Sequence, residues 1–275
     1  MSAPAAEGAR VAWLDVPSTA RQVIEQACGS PVIEAHDQPG GFSPGTASRV
    51  LCADGTRWFV KAASADVNPD APRLHRREAS VLGGLDAQIA AGHLPIPRLR
   101  ATAEHGPWFA LVIEDVEGRQ PALPWKSDEL DLVLATLDRL AEALTAPPVT
   151  VSGVADYLGT DFTGWRTLAT SPDDDRLDDW SRAHLPELAS LEATWAVHAG
   201  GDALLHSDLR ADNLLLADRG VMVVDWPHAC LGAPFVDLVF FAPSVAMQGG
   251  PDPTALLSRS RVGRSVSREA LAAVV

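Results

Sequence analysis

His206, Asp208 and Asn213 fall in the pattern H-x-D-x-x-x-x-N, and two short apolar runs separate them from a second carboxylate, Asp225. A carboxylate at Asp208 can orient a hydroxyl for attack and take up its proton. The amide oxygen of Asn213 and the carboxylate of Asp225 are hard donors suited to Mg2+. These are the groups that phosphoryl transfer asks of a protein, because that reaction depends mainly on positioning and charge neutralisation. Asn occurs only at positions 68 and 213, so the spacing is a specific signal and not a frequent coincidence.

Around this core stand further candidates. Arg210, two residues past Asp208, can offer a fixed positive charge to the transferred group. His206 reads as a loop support that works by hydrogen bonding. Asp237, a lone acid in Gly232-Ala233-Pro234-Phe235-Val236-Asp237-Leu238, is expected to accept backbone N–H bonds from the Asp208 loop. Lys61 and Glu78 supply the other half of a phosphate site, with the ammonium against the phosphates and the carboxylate fixing its rotamer. Lys occurs only at positions 61 and 126, against 22 Lys and Arg together; that bias makes a retained Lys61 more telling than a lysine in ordinary company. The loop from Gly40 to Gly45, with Gly41, Phe42 and Ser43 at its centre, leaves room for close backbone approach to phosphate. It lacks the G-K-[ST] ending of a P-loop.

The elements that must position these groups can be read from spacing. Ser18 to Cys28 is a short helix. Pro31 to Ala35, Ala47 to Leu51 and Arg57 to Lys61 are strands, the last two joined by the tight-turn sequence Ala53-Asp54-Gly55-Thr56. Ala71 to Ala90 has helical periodicity and carries Glu78. Ala101 to Ala103 and Trp108 to Ile113 form a hairpin completing a five-stranded antiparallel sheet. An acidic stretch at 114–118 is a candidate hinge between a lobe at 1–113 and a lobe at 119–275, each with its own core. Ser127 to Thr145 is an amphipathic helix capped by its serine. Residues 151–180 read as irregular, with the acidic run Asp173-Asp174-Asp175 followed by Asp178-Asp179 as an exposed loop or helix entry, and Leu185 to His198 as a helix. Leu214 to Leu216 and Val221 to Val224 pair as a hairpin that brings Asp208, Asn213 and Asp225 to one edge.

Composition bounds the rest. The 275 residues carry a formal charge of −14, with 47% hydrophobic and 21% charged residues. That balance disfavours nucleic acid as a partner and suits a cationic small substrate as well as a solvated acidic surface. No apolar run approaches a membrane span, and no basic-then-apolar leader is visible at the N-terminus. Cys28, Cys52 and Cys230 are scattered without C-x-x-C spacing, as expected of reduced thiols in a cytoplasm.

With these residues in hand, the chain resembles the aminoglycoside phosphotransferase and choline kinase group of small-molecule kinases. The likeness rests on GGFSPGTASRV, Lys61, Glu78, the stretch after LVIEDVEG, HSDLRADNLLL, VVDW and GAPFVDLVFF. It implies an α+β, bilobal protein-kinase-like fold with a mostly helical C-terminal lobe. It further implies ATP, or GTP, held between the lobes, with the base against backbone groups from Glu114 to Val116. Asp208 would be catalytic, Asn213 and Asp225 would hold Mg2+, and a small hydroxylated molecule would receive the γ-phosphoryl group. Ser207 and Arg210 stand where the group commonly has Gly and His. The group usually continues for further helices past the Asp237 motif, so the C-terminal lobe is expected to be abbreviated, leaving an apolar face open to solvent or to a second copy. Two other readings stay open: a catalytically silent nucleotide- or ligand-binding module, and a metal-dependent hydrolase built on His206, Asp208 and Asp225.

Overall fold

The computed structural model describes residues 10–38, 45–170 and 177–274. Helix α1 (Ser18–Cys28) buries Ala20, Ile24 and Cys28, one per turn, and ends at Gly29, whose φ of 92° is the left-handed geometry of a helix C-cap. Strands β1 (Val32–Asp37), β2 (Thr46–Cys52) and β3 (Arg57–Ser64) follow. The β2–β3 turn is closed by Asp54, whose Oδ1 accepts from the N–H and the hydroxyl of Thr56 at 2.9 and 2.7 Å, with Gly55 at φ 85°. Helices α2 (Asp70–Gly84) and α3 (Asp86–Ala90) lead to strands β4 (Leu99–His105) and β5 (Trp108–Glu114). The sheet order is β1-β2-β3-β5-β4, antiparallel throughout.

Strand alternation explains how this sheet serves two cores. Val60, Ala62, Ala110 and Val112 face α1 together with Trp13, Val16 and Ile24. Phe109, Leu111 and Ile113 face the opposite way, toward Val81, Leu82 and Leu85. Lys61 is displayed on that second face of β3, between Val60 and Ala62.

Strand β6 (Gly118–Arg119) precedes the long helix α4 (Ser127–Ala143), then α5 (Val154–Leu158), α6 (Gly164–Ala169), α7 (Asp179–Glu192) and α8 (Trp195–Ala199). Strand β7 (Ala203–Leu205) feeds the Asp208 loop, and β8 (Leu214–Ala217) and β9 (Gly220–Val223) form the expected hairpin, with β6 added beside β8. Strand β10 (Cys230–Gly232) returns alongside β7. The chain then runs through α9 (Phe235–Met247), α10 (Pro253–Arg259), α11 (Arg261–Ser265) and α12 (Arg268–Val274).

Several expectations are corrected. The helix read over Ala71 to Ala90 breaks after Gly84, where a Cβ would come within 2.5 Å of the Val149 side chain; the glycine pair at 83–84 allows close approach at the cost of helix continuity. Ser127 does not cap α4, since its hydroxyl and carbonyl instead accept from Arg259. Residues 151–180, read as irregular, contain α5 and α6. The helix read over Leu185 to His198 starts earlier, at Asp179, because Asp178 caps it through the Ser181 N–H, and it breaks before Trp195. Each side keeps an apolar cluster of its own, one around α1 from Trp13 to Val112 and one around α8 and α12 from Val154 to Val274, and a third cluster runs between them from Val81 and Leu111 through Leu134 and Trp226 to Leu257. The C-terminal apolar positions are not an open face: Ala270, Ala273 and Val274 of α12 are buried, Ala270 and Val274 in a cluster with Trp195, Ala199 and Phe235. Asp173-Asp174-Asp175 and Gly41, Phe42 and Ser43 lie outside the described residues.

Candidate active site

A cleft of about 710 Å3 opens between the second face of the sheet and the β7–β8 loop. It is lined by Lys61, Glu78, Glu114, Val116, Asp208, Arg210, Asn213 and Asp225, so every described residue singled out from the sequence as catalytic, nucleotide-binding or metal-binding reaches one place.

One corner is built from three distant segments. Lys61 Nζ donates to Glu78 Oε1 and Oε2 at 2.8 and 2.9 Å and to Asp225 Oδ1 at 2.7 Å. Helix α2 aims Glu78 inward because it shares a stripe with Ala71, His75 and Leu82, all buried. Asp225 follows β9 with φ at 71°, a conformation costly for a residue with a Cβ. Burial pushes the Lys61 ammonium toward neutrality, but Asp225 and Glu78 outweigh it and its pKa is raised. Burial also pushes Glu78 up, against the pull of Lys61. In Asp225 the attraction of Lys61 overcomes burial and holds the carboxyl down at about 2. The side chain of Glu78 is 2% exposed and that of Asp225 41%, so the first carboxylate is sealed while the second faces the cleft.

The other corner is built locally. Asp237, at the start of α9, accepts from the N–H groups of His206 and Ser207, both at 2.8 Å, as expected of a lone acid in that run. Burial pushes its carboxyl up, opposed by His206 and those two donors. His206, 1% exposed, donates through Nε2 to the Val224 carbonyl at 2.9 Å and accepts the Asp208 N–H at Nδ1 at 3.2 Å. It thus ties the Asp208 loop to the strand end that delivers Asp225, in the supporting role read from the sequence. Ser207 holds φ at 64°, a geometry natural to glycine, and its hydroxyl meets Cys230 Sγ at 3.0 Å. Asn213 donates through Nδ2 to the Asp208 carbonyl at 2.8 Å and to Oδ2 at 3.2 Å. Arg210 grips Asp212 through Nε and Nη2 at 3.0 and 2.7 Å and stands 3.8 Å from Asp208 Oδ1.

Those contacts decide which atoms can meet a metal. With Asn213 Nδ2 committed to Asp208, its Oδ1 remains as a donor, and Asp225 offers its second carboxylate oxygen. Among the described residues no group of three or more His, Cys, Asp or Glu is placed to hold a metal alone. Two hard oxygen donors at a cleft fit Mg2+, which takes few protein ligands and completes its shell with phosphate and water.

At the far end, Glu114 accepts the Arg98 N–H and pairs with Arg219 through its side chain. The Val116 carbonyl accepts from Arg49 at 2.6 Å, and Arg49 Nε also pairs with Asp115 at 2.6 Å. Among the described residues the Val116 N–H has no partner, leaving a donor at the cleft edge. Sequence reasoning missed the clamp by Asp212, although its place two residues after Arg210 is a readable signal. It also missed cleft-lining His75, three residues before Glu78 on the same helical stripe, and cleft-lining Arg10 and His228, which no spacing announces. His228 Nδ1 is 2.7 Å from the Tyr157 hydroxyl.

Comparison with known proteins agrees with this architecture. No curated protein matches the chain in sequence. Among solved structures, an aminoglycoside-3'-phosphotransferase of type VIII superposes with a TM-score of 0.59 at 21% identity, over 94% of this chain and 97% of that one. An aminoglycoside phosphotransferase in ternary complex with ADP and hygromycin B gives 0.58 at 15% identity, over 94% and 87%. Another, from Streptomyces rimosus in complex with ADP and streptomycin, gives 0.54 at 17%, over 92% and 95%. At these identities the likeness is one of fold, and it bears out the bilobal, protein-kinase-like α+β architecture. The sequence profile of the phosphotransferase enzyme family matches residues 39–268, from the glycine-bearing loop through α11, and with that match spanning most of its length the chain belongs to that family.

Proposed function

We propose that the protein transfers the γ-phosphoryl group of ATP to a hydroxyl of a small molecule, in a Mg2+-dependent reaction. The observation that carries the reading is Lys61 bonded at once to Glu78 and Asp225, beside Asp208 and Asn213 in one cleft. A silent binding module has no use for a catalytic carboxylate held open to the cleft. A metal-dependent hydrolase would leave the Lys61–Glu78 pair unexplained.

In this reading residues 1–113 and 119–275 act as lobes joined at 114–118. The Val116 N–H and the Glu114 backbone receive the base, with ATP favoured and GTP tested by competition. Lys61, its rotamer fixed by Glu78, binds the phosphates, while Gly41, Phe42 and Ser43 approach them through backbone. Asn213 and Asp225 hold Mg2+, which neutralises phosphate charge when bound. Asp208 orients the acceptor hydroxyl and takes its proton as the oxygen attacks the γ-phosphorus and the bond to the β-phosphate oxygen breaks. Arg210, gripped by Asp212, sets the charge beside Asp208. Carboxylates outnumber cations along the cleft, and the net charge is −14, which favours a cationic alcohol of the aminoglycoside kind as acceptor.

The test is calorimetric titration with a non-hydrolysable ATP analogue, with and without Mg2+, followed by ADP-release assays with streptomycin, hygromycin B and simple amino alcohols. Magnesium-dependent binding, and acceptor-dependent ADP release abolished in Asp208→Asn, are the expected results. Binding of the analogue with no release for any acceptor would favour the silent module.

A further inference from the structure

Arg10 stands outside the family match, which begins at residue 39, yet it lines the same cleft as Lys61 and Asp225. Its backbone is fixed there. Arg10 bridges Gly45 in parallel, the Val11 N–H donates to the Gly45 carbonyl at 3.1 Å, and the Thr46 hydroxyl donates to the Val11 carbonyl at 2.9 Å. Two residues on, the Trp13 N–H donates to Asp37 Oδ1 at 3.0 Å, and its ring is buried against α1. Residues 10–13 are thus a strap laid along the start of β2. Gly45 is itself pressed to β3, since a Cβ there would meet the Ala62 carbonyl at 2.5 Å. The strap is therefore held, through Gly45, against the strand that carries Lys61.

The side chain of Arg10 comes within electrostatic reach of Asp225 and of His75. That places it at the Lys61 corner of the cleft. Charge there is short. Lys61 already answers two carboxylates, and His75 is held neutral, with its pKa pushed down to about 3 by burial, Lys61 and Arg10. A nucleoside triphosphate brings several negative charges into a cleft whose carboxylates already exceed its cations. A guanidinium anchored by its own backbone answers that demand with paired donors suited to phosphate oxygens.

We propose that Arg10 is a phosphate-binding residue, a second cation that the N-terminal strap adds to Lys61 for the β- and γ-phosphates. The assignment rests on the nucleotide reading given above. It makes Arg10 part of the nucleotide site, although it lies outside the region of the family match.

The experiment measures dissociation constants for the non-hydrolysable triphosphate analogue and for AMP, both with Mg2+, in the full chain and in Arg10→Gln and Arg10→Lys. Loss of one charge-assisted contact predicts about tenfold weaker binding of the triphosphate in Arg10→Gln, AMP affinity changed less than about twofold, and partial recovery in Arg10→Lys. Equal weakening of both nucleotides would show that the strap only shapes the fold and would overturn the proposal, as would unchanged binding of both. If the unsubstituted chain binds neither nucleotide, the nucleotide reading itself fails, an outcome distinct from the other two.

Discussion

The two corners of the cleft hold similar groups by different means. The Asp208 corner is assembled at shorter range: Asn213 bonds Asp208 five residues back, Arg210 grips Asp212 two residues on, and Asp237 reaches back no more than 31 positions. The Lys61 corner joins a strand, a helix and a loop separated by as many as 164 positions, and Glu78 in it is sealed from water. Local assembly leaves a carboxylate reachable by a substrate at small cost in folding. Long-range assembly around a buried charge makes the same residues part of the stability of the fold.

Predictions that probe this contrast run from large effects to small. Asp208→Asn is expected to lower kcat by roughly 10²–10⁴-fold, with the melting temperature and nucleotide affinity nearly unchanged. Steady-state kinetics beside a thermal melt checks this, and a large drop in melting temperature would show that the local corner also holds the fold. Lys61→Ala should both abolish nucleotide binding and destabilise the protein by on the order of 3 kcal/mol, because Glu78 is left buried without its counter-ion; the solvent exposure of Asp225 reduces that carboxylate's share. Denaturant titration reads the second effect, and a loss under about 1 kcal/mol, the range of an exposed pair, would place Lys61 outside the stabilising framework.

The same corner contains His75, whose pKa is lowered from 6.5 to about 3, first by burial. Between those values the unfolded chain binds a proton that the folded one refuses. The stability this group supports is thus complete above 6.5 and declines as pH falls toward 3, by about 1 kcal/mol per pH unit where the unfolded histidine is charged. His75→Gln should flatten the stability profile between about pH 6 and 4. An unchanged slope in urea titrations at those pH values would refute it.

On the local side, Ser207→Gly should relieve left-handed backbone strain of about 1 kcal/mol, partly offset by loss of the hydroxyl contact to Cys230, so a small rise in melting temperature is expected. A clear fall would mean the Ser207–Cys230 contact outweighs the strain. Arg210→Ala, with its side chain 31% exposed, should cost under about 1 kcal/mol of stability while weakening turnover. If it destabilised the fold as much as Lys61→Ala, the contrast between the corners would collapse.

The Asp208 corner is legible in the sequence because its groups lie close along the chain and hydrogen-bond at short range, so their spacing is their geometry. Asp237 is readable for a related reason: an acid set in an apolar run must find donors, and the nearest backbone is that loop. The Lys61–Glu78 pairing is legible through residue type and order, and the sheet through its turn sequences at Asp54-Gly55 and His105-Gly106. Helix boundaries are less so. The break at Gly84 follows from the approach of Val149, and the use of Ser127 by Arg259 from a helix more than a hundred residues away.

Taken alone, the sequence determined the chemical identity of the site and the strand and helix that carry Lys61 and Glu78, because periodicity, turn chemistry and short-range hydrogen bonding act between near neighbours. Only the tertiary structure decided that Asp225 closes on Lys61 and that the C-terminal helix buries its apolar stripe. It likewise decided that an apolar cluster runs from Val81 through Leu134 to Leu257 and that Arg10 lines the cleft that holds Lys61 and Asp225. Each of these depends on which distant surfaces exclude water together, and burial is a property of the packed whole that no local spacing encodes.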